Sequence, residues 1–334
     1  MATYSALFDA LGLRSWCDAG ASAKPLSLAD LAGKSKGGLP FPSLDHLHEA
    51  CGQIWRTRDM TNGIETGFLA IKDGLKLVLD PLTQPLSWML QGAIAGFGAV
   101  PWWVMMPVLL ALVWRVSRAR GVTAFVAFVL LLLAVIDHYD AAIATLAIIS
   151  VCAVLSVAFG VPIGIAMSKS DRLQQGILPV LDMLQTLPAF VYLIPLIFLF
   201  SVTEPKLYGM AIILYAIVPV IRLTDLGIRM VDRDVIEAAD AFGMTWTQRL
   251  FEVEIPLAMP NIMAGVNQTI MMALSMVVIA SLVSAPGLGL LVLRGINNLE
   301  LGTGLVAGMA IVLLAIVLDR VSKSAVRRAS WKTQ

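Results

Sequence analysis

Long apolar runs separated by short polar islands organise this chain. Seven stretches, at about 100–114, 121–137, 141–167, 185–201, 207–222, 260–284 and 302–319, carry almost no charge and have the length of membrane spans. Ahead of them, from Gly67 to Gly98, Leu75, Leu79, Leu82 and Leu86 are interspersed with Lys72, Asp73, Lys76 and Asp80, the pattern of an amphipathic helix lying in a membrane interface. Residues 1 to about 62 are polar, and Lys34-Ser-Lys-Gly-Gly and Pro40-Phe-Pro42 break any long element there. Ala6 to Trp16 reads as a short amphipathic helix and not as a cleavable signal, because no basic start leads into an apolar run. The resulting map has an unassigned polar extension (1–63), an interfacial helix region (64–99), a transmembrane domain (100–322) and a basic tail (323–334). The predicted fold class is an all-α membrane protein, a polytopic helical bundle of about seven transmembrane helices.

The polar island between the last long spans, residues 234–256, has a pattern of its own. Asp234 can cap a helix, with Glu237 reaching back in a capping box, and Val235, Ala239 and Phe242 then share a face. Gly243 supplies a left-handed stop. Thr245 and Gln248 repeat the capping-box spacing, and Trp246, Leu250 and Val253 make a second apolar stripe that ends at Pro256. The prediction is a compact amphipathic knuckle of two short helices. By amphipathicity alone it reads equally as a surface loop or as a plug for a partner.

Composition supports the membrane reading: of 334 residues 58% are hydrophobic and only 14% charged. The net charge of +1, with arginines scattered at loop ends, gives no case for nucleic acid. Cys17, Cys51 and Cys152 make no disulfide framework and lack zinc-ligand spacing, so they read as inert. Gly33-Lys34-Ser35 lacks the upstream glycine of a phosphate loop, the required position being Leu28, and His46 and His48 lack a third metal ligand. No catalytic, cofactor-binding or metal-binding residue is expected in the chain.

Loop charge orients the spans. Arg115, Arg118 and Arg120 have no acidic companions in a short loop, which places that loop in the cytoplasm. Alternation then puts Lys169–Arg172, the knuckle with Arg222, Arg229, Arg233 and Arg249, and the tail with Lys323, Arg327, Arg328 and Lys332 on the same side. Asp137–Asp140, Thr203–Lys206 and Pro286–Leu301 become external loops. With seven spans the N-terminus lies outside and the C-terminus inside.

Glu237-Ala238-Ala239, three residues, Gly243, nine residues and Val253-Glu-Ile-Pro256 resemble the EAA signature of ABC importer permeases, EAA-x3-G-x9-I-x-L-P, with Val253 and Ile255 as conservative departures. Leu184-Gln-Thr-Leu-Pro-Ala-Phe-Val-Tyr-Leu-Ile-Pro195, Ile221-Arg-Leu-Thr-Asp-Leu-Gly-Ile-Arg229, Pro256 to Thr269, Leu274 to Ala280, Gly287-Leu-Gly289 and Val292-Leu-Arg-Gly-Ile296 narrow the likeness. Over about 64–328 the chain resembles the permease subunit of bacterial glycine betaine/proline betaine ABC importers. Ser201-Val-Thr-Glu-Pro205 and Ala285-Pro286 depart from the glycine-rich wording of that family, which leaves the exact amine open.

The resemblance implies a type I ABC importer permease fold, a second copy of the chain, two ABC ATPase subunits that bind ATP and Mg, and a substrate-binding protein delivering glycine betaine, proline betaine, choline or trimethylamine N-oxide. It makes Glu237, Ala238, Ala239, Gly243 and Pro256 the ATPase-coupling residues, and it implies a bacterial inner membrane location. For the pathway the residues leave alternatives open. Phe190 and Tyr192, bracketed by Pro188 and Pro195, suit a quaternary ammonium through their ring faces, or serve packing alone. Asn267, Gln268 and Ser275 line a cavity or hold helices together by hydrogen bonds. The rival class is a self-sufficient secondary transporter or channel for small amines, which needs ionisable residues in the spans; these spans are almost free of them.

Overall fold

The computed structural model describes residues 7–13, 17, 51 and 57–331, with the side chains of 57–59 and 326–331 excepted. The expectations for Gly33–Ser35, for His46 and His48, and for the tail side chains beyond residue 325 lie outside the described residues. The chain divides into two compact units, Met1–Gly74 and Leu75–Gln334. In the first, the expected N-terminal helix is described only over 7–13, where a single turn at 7–10 stops at Gly12 (φ +67°). Cys17 and Cys51 are both buried and joined in a disulfide. The reading of these two cysteines as inert is therefore corrected: they lie 34 positions apart, and nothing in that spacing announces a pair. Cys152 is free and buried.

All regular structure among the described residues is helical. Helix α1 (Thr57–Ala99) begins before residue 64 and turns by 114° at Val100-Pro101 into α2 (Trp102–Ser117). Helix α3 (Arg120–Val135) is followed by α4 (Tyr139–Ser168), α5 (Asp171–Thr186), a 3-10 turn (Ala189–Tyr192) and α6 (Leu193–Leu199). Next come α7 (Pro205–Arg229), α8 (Arg233–Ala241), a junction (Trp246–Glu254), α9 (Ile255–Ala280), α10 (Leu288–Asn297) and α11 (Leu301–Trp331).

Among the described residues four helical stretches are long and apolar enough to cross a membrane, and up to six if each bent pair is one span. About seven were expected. The difference lies in α2 and α3, each 16 residues long, the first belonging to a bent pair with α1 and the second a shorter apolar helix, and in the stretch expected to span at 185–201. There the chain bends by 108° between α5 and the 3-10 turn. Leu187 is extended (φ −66°, ψ 134°) because the ring of Pro188 excludes the helical conformation from the residue before it. The 11 residues left between Ala189 and Leu199 rise too little to cross alone.

Helix α7 forms the centre of the second unit, packed between α4 and α9. Gly164 of α4 lets the helices close: a Cβ there would lie 2.7 Å from the Ile221 carbonyl oxygen and 2.6 Å from Thr224 Cβ. Gly265 of α9 does the same on the other side, 3.0 Å from Val220 Cα. Such contacts matter in a bilayer, where lipid removes the hydrophobic drive between helices and dispersion over close-packed backbones takes its place. At the far end of α7 from the knuckle, Leu86 and Leu90 of α1 pack on Gly209, and Asp80 of α1 reaches Lys206 Nζ at 2.7 Å. Residues 80–90 of α1 thus lie against residues 206–209 of α7. Pro286–Leu301, expected as a loop, contains α10, whose first turn is fixed by Leu288 N–H donating to Thr145 Oγ1 (2.9 Å).

Candidate functional site

The knuckle folds from local signals that are partly those anticipated. Helix α8 is capped by Asp232, whose carboxylate accepts from Asp234 N–H at 3.0 Å, and not by Asp234 as expected. That shift leaves Glu237 two positions too far along the helix to complete a capping box, and it stands exposed with Ala238. Gly243 has φ +77°. Met244 N–H bonds back to Ala239 O (3.2 Å) and Gly243 N–H to Asp240 O (3.0 Å), the paired closure of a Schellman motif. Thr245 and Gln248 then form a reciprocal capping box, with Thr245 N–H donating to Gln248 Oε1 at 2.9 Å.

The second helix does not end at Pro256. A turn at Trp246–Gln248 leads into a π-helical segment, Arg249–Glu254, and on without interruption through Pro256 into α9. A proline has no N–H and its ring collides with the carbonyl four residues back; the wider π turn just before Pro256 relieves that collision. The joint between knuckle and span is therefore continuous helix with one loosened turn.

The apolar residues divide by face. Ala239 and Leu250 are buried, while Phe242 (88% exposed), Trp246 and Phe251 project outward. Ile236 and Ile255 root the knuckle on a cluster of Ile228, Val231, Ala258 and Ile262, which also takes up Val161 and Ile165 of α4. Ala239 consequently serves the knuckle's own packing, and the free surface is aromatic.

Charged groups surround this root. Glu254, only 2% exposed, holds Lys169 Nζ, and its other oxygen lies 3.2 Å from Arg249 Nε. Arg249 in turn grips both carboxylate oxygens of Asp240 at 2.8 and 2.7 Å. Nearby, Arg229 binds Asp225 (2.9 Å), Asp171 (2.7 Å) and the Met167 carbonyl (2.8 Å), and Gln174 donates to Asp225 (2.7 Å). These groups escaped the reading of the sequence because their partners lie up to 85 positions apart. The one available signal was a glutamate within an otherwise apolar entry to a span.

The pathway candidates differ in exposure and in partners. Tyr192 is buried and meets Tyr215 edge-on, with ring centroids 6.3 Å apart, whereas Phe190 is exposed. Asn267 accepts a hydrogen bond from Ser322 Oγ of α11, which is the helix-holding alternative. Gln268 and Ser275 instead lie on an exposed part of α9, Ser275 donating back to Met271 O at 3.1 Å. Ser156 and Thr269, not singled out from sequence, are fully buried with hydroxyls lacking a partner, each one turn from a glycine (Gly160, Gly265) that packs on Val220.

Residues 156–331 match the family described as the binding-protein-dependent transport system inner membrane component. The chain belongs to that family. It is 42% identical over 246 residues to the glycine betaine transport system permease protein OpuAB of Bacillus subtilis (strain 168), covering 73% of this chain and 86% of that protein. It is 41% identical over 288 residues to the glycine betaine/proline betaine transport system permease protein ProW of Escherichia coli (strain K12), covering 85% and 78%. To the trimethylamine N-oxide transport system permease protein TmoV of Ruegeria pomeroyi the identity is 36% over 270 residues, 78% of this chain and 40% of that one. An inward-facing structure of the MetNI methionine ABC transporter superimposes with a TM-score of 0.50 at 18% identity, over 55% of this chain and 92% of that chain, a likeness of fold. The protein is thus a multi-pass membrane permease component with a type I ABC importer permease fold.

Proposed function

We propose that this chain forms the translocation pathway of an ATP-driven importer for a quaternary-amine or related osmolyte: glycine betaine, proline betaine, choline or trimethylamine N-oxide. The observation that carries the reading is the knuckle, a rigid two-helix body with an outward aromatic face that continues as helix into span α9. A plug of that shape has work to do only where a separate subunit drives the permease. Two ABC ATPase subunits, holding ATP and Mg, take the knuckles of two copies of this chain, and a substrate-binding protein delivers the amine on the other side. The chain itself carries out no covalent chemistry. The substrate class rests on the relatives' names together with aromatic residues near the bent α5–α6 segment; a quaternary ammonium offers no hydrogen-bond donor but is drawn to a ring face.

Glu237, Ala238, Gly243 and Pro256 act in coupling as surface, turn and junction, and Ala239 supports them from within. Gln268 and Ser275, seven residues apart on an exposed face of α9, suit a path shared between two copies. With α3 taken as a seventh span beside the four long helices and the two bent pairs, the N-terminus lies outside and the C-terminus inside the cell; the Cys17–Cys51 disulfide supports this, because such bonds persist in oxidising compartments. The test is reconstitution in vesicles with the cognate ATPase and binding protein. Uptake of radiolabelled glycine betaine, choline, proline betaine or trimethylamine N-oxide should require ATP and both partners, and partner-independent uptake would overturn the proposal.

A further inference from the structure

The EAA spacing leaves position 254 unspecified, between Val253 and Ile255, yet this position holds a glutamate whose side chain is almost wholly enclosed. A buried carboxylate is costly unless it is paired and hydrogen-bonded, so its partners define what it does. One is Lys169, the residue that closes the last turn of α4; the other is Arg249, at the head of the π segment. Through Arg249 the pairing extends to Asp240 in the last turn of α8. Four charges of alternating sign, Asp240, Arg249, Glu254 and Lys169, therefore run from the knuckle's first helix across the loosened turn to the end of a helix that is distant in sequence.

Besides the apolar cluster around Ala258 and Ile262, the knuckle is tied to α9 by the continuous helix that runs through the π segment. A π turn is a weak place in that tie, since its hydrogen bonds are poorer than those of an α-helix and it can rewind. We infer that Glu254 is a positioning residue for coupling: through Lys169 it fixes the end of α4 to the knuckle joint, so that the end of α4 and the head of α9 move together when the knuckle is displaced. This rests on the reading of residues 234–256 as the coupling element. Ile236 and Ile255, which pack in the same cluster as Val161 and Ile165, give the link an apolar backing but no direction. The ion pair supplies direction, because it holds one point on α4 against one point on the joint.

The experiment uses the complete complex in vesicles and measures ATP hydrolysed per substrate imported, together with the yield of assembled complex. Glu254→Gln and Lys169→Met are each expected to raise the ATP-to-substrate ratio several-fold in complexes that still assemble. The double variant should raise it no further, because both changes break one link. Lys169→Arg should restore the ratio. Lower yield with an unchanged ratio in the single variants would make Glu254 merely structural and overturn the inference. Gly243→Val separates the two readings. If it leaves uptake intact, the knuckle assignment itself fails; if it abolishes uptake while Glu254→Gln and Lys169→Met leave the ratio unchanged, only the role of Glu254 fails.

Discussion

The two ends of helix α7 differ in how much charge holds them. At the knuckle end, Arg229, Asp225, Asp171 and Gln174 join α7 to α5, and Lys169, Glu254, Arg249 and Asp240 join α4 to the joint of α9. At the other end a single buried lysine, Lys206, meets Asp80 (2.7 Å) and Glu204 (3.0 Å) and lies 5.2 Å from the Phe200 ring, while Leu86 and Leu90 of α1 pack on Gly209. Close glycine contacts occur toward the knuckle as well, where a Cβ at Gly227 would lie 2.8 Å from Asn261 Cβ. The contrast is therefore one of charge: the knuckle end adds a set of long ion pairs, which keep their partners through shifts of an ångström or two, to close packing, and the other end has packing around one lysine.

Substitution of a tightly packed glycine away from the knuckle should show the largest loss of stability. Gly287 has φ +118°, and a Cβ there would sit 2.3 Å from Thr145 Oγ1 and 3.1 Å from the Ala141 carbonyl. Gly287→Val should destabilise the protein by about 3 kcal/mol or more through strain and overpacking combined, seen as a lower thermal midpoint of the purified permease. A midpoint within error of the parent would remove the idea that this end is fixed by contact.

Gly243→Val comes next and differs in kind. Its Cβ meets open space, so only the positive φ is penalised, at about 1 kcal/mol or somewhat more. The chain should still insert and assemble, but the second half of the knuckle is misaimed and uptake falls with stimulated ATP hydrolysis. Normal uptake from such a complex would erase the functional half of the comparison.

Removing one carboxylate from Lys206 has a smaller effect, because Glu204 remains and Asp80 is itself about a third exposed. Asp80→Asn should cost no more than about 1 kcal/mol in thermal stability. A larger loss would mean that charge, and not packing, holds α1 across this end. The smallest expected effect distinguishes two neighbouring aspartates of the knuckle: Asp232→Ala should cost about 1 kcal/mol or less by removing the cap, while Asp234→Ala should be close to neutral. Equal effects in a denaturation series would return the cap to Asp234.

Legibility followed the range of the interactions involved. The turn at Gly243 and the box between Thr245 and Gln248 were readable because each needs only residues within a few positions, with backbone rules that act on them directly. The cap was misplaced by two residues since Asp232 and Asp234 are chemically the same and both precede apolar periodicity. Hydropathy reads the stretch at 185–201 as one span because it counts apolar residues without regard to direction. The pre-proline restriction at Leu187, visible as a residue pair, turned out to swing the chain through 108°. Likewise the continuity of helix through Pro256 depends on a π turn that no single residue type announces.

What the amino-acid sequence determined by itself is the all-helical membrane character, the place of the knuckle and its local closures, and the family to which the chain belongs. These follow from composition, from short-range capping chemistry and from a spaced signature, all of which survive without knowledge of distant neighbours. Tertiary structure alone decided that Cys17 pairs with Cys51, that Ala239 faces inward while Phe242 faces out, and that Glu254 is enclosed beside Lys169. Each of these depends on groups far apart in the chain being brought together. The free energy of burying a thiol, a methyl or a carboxylate is set by the neighbours it finds there.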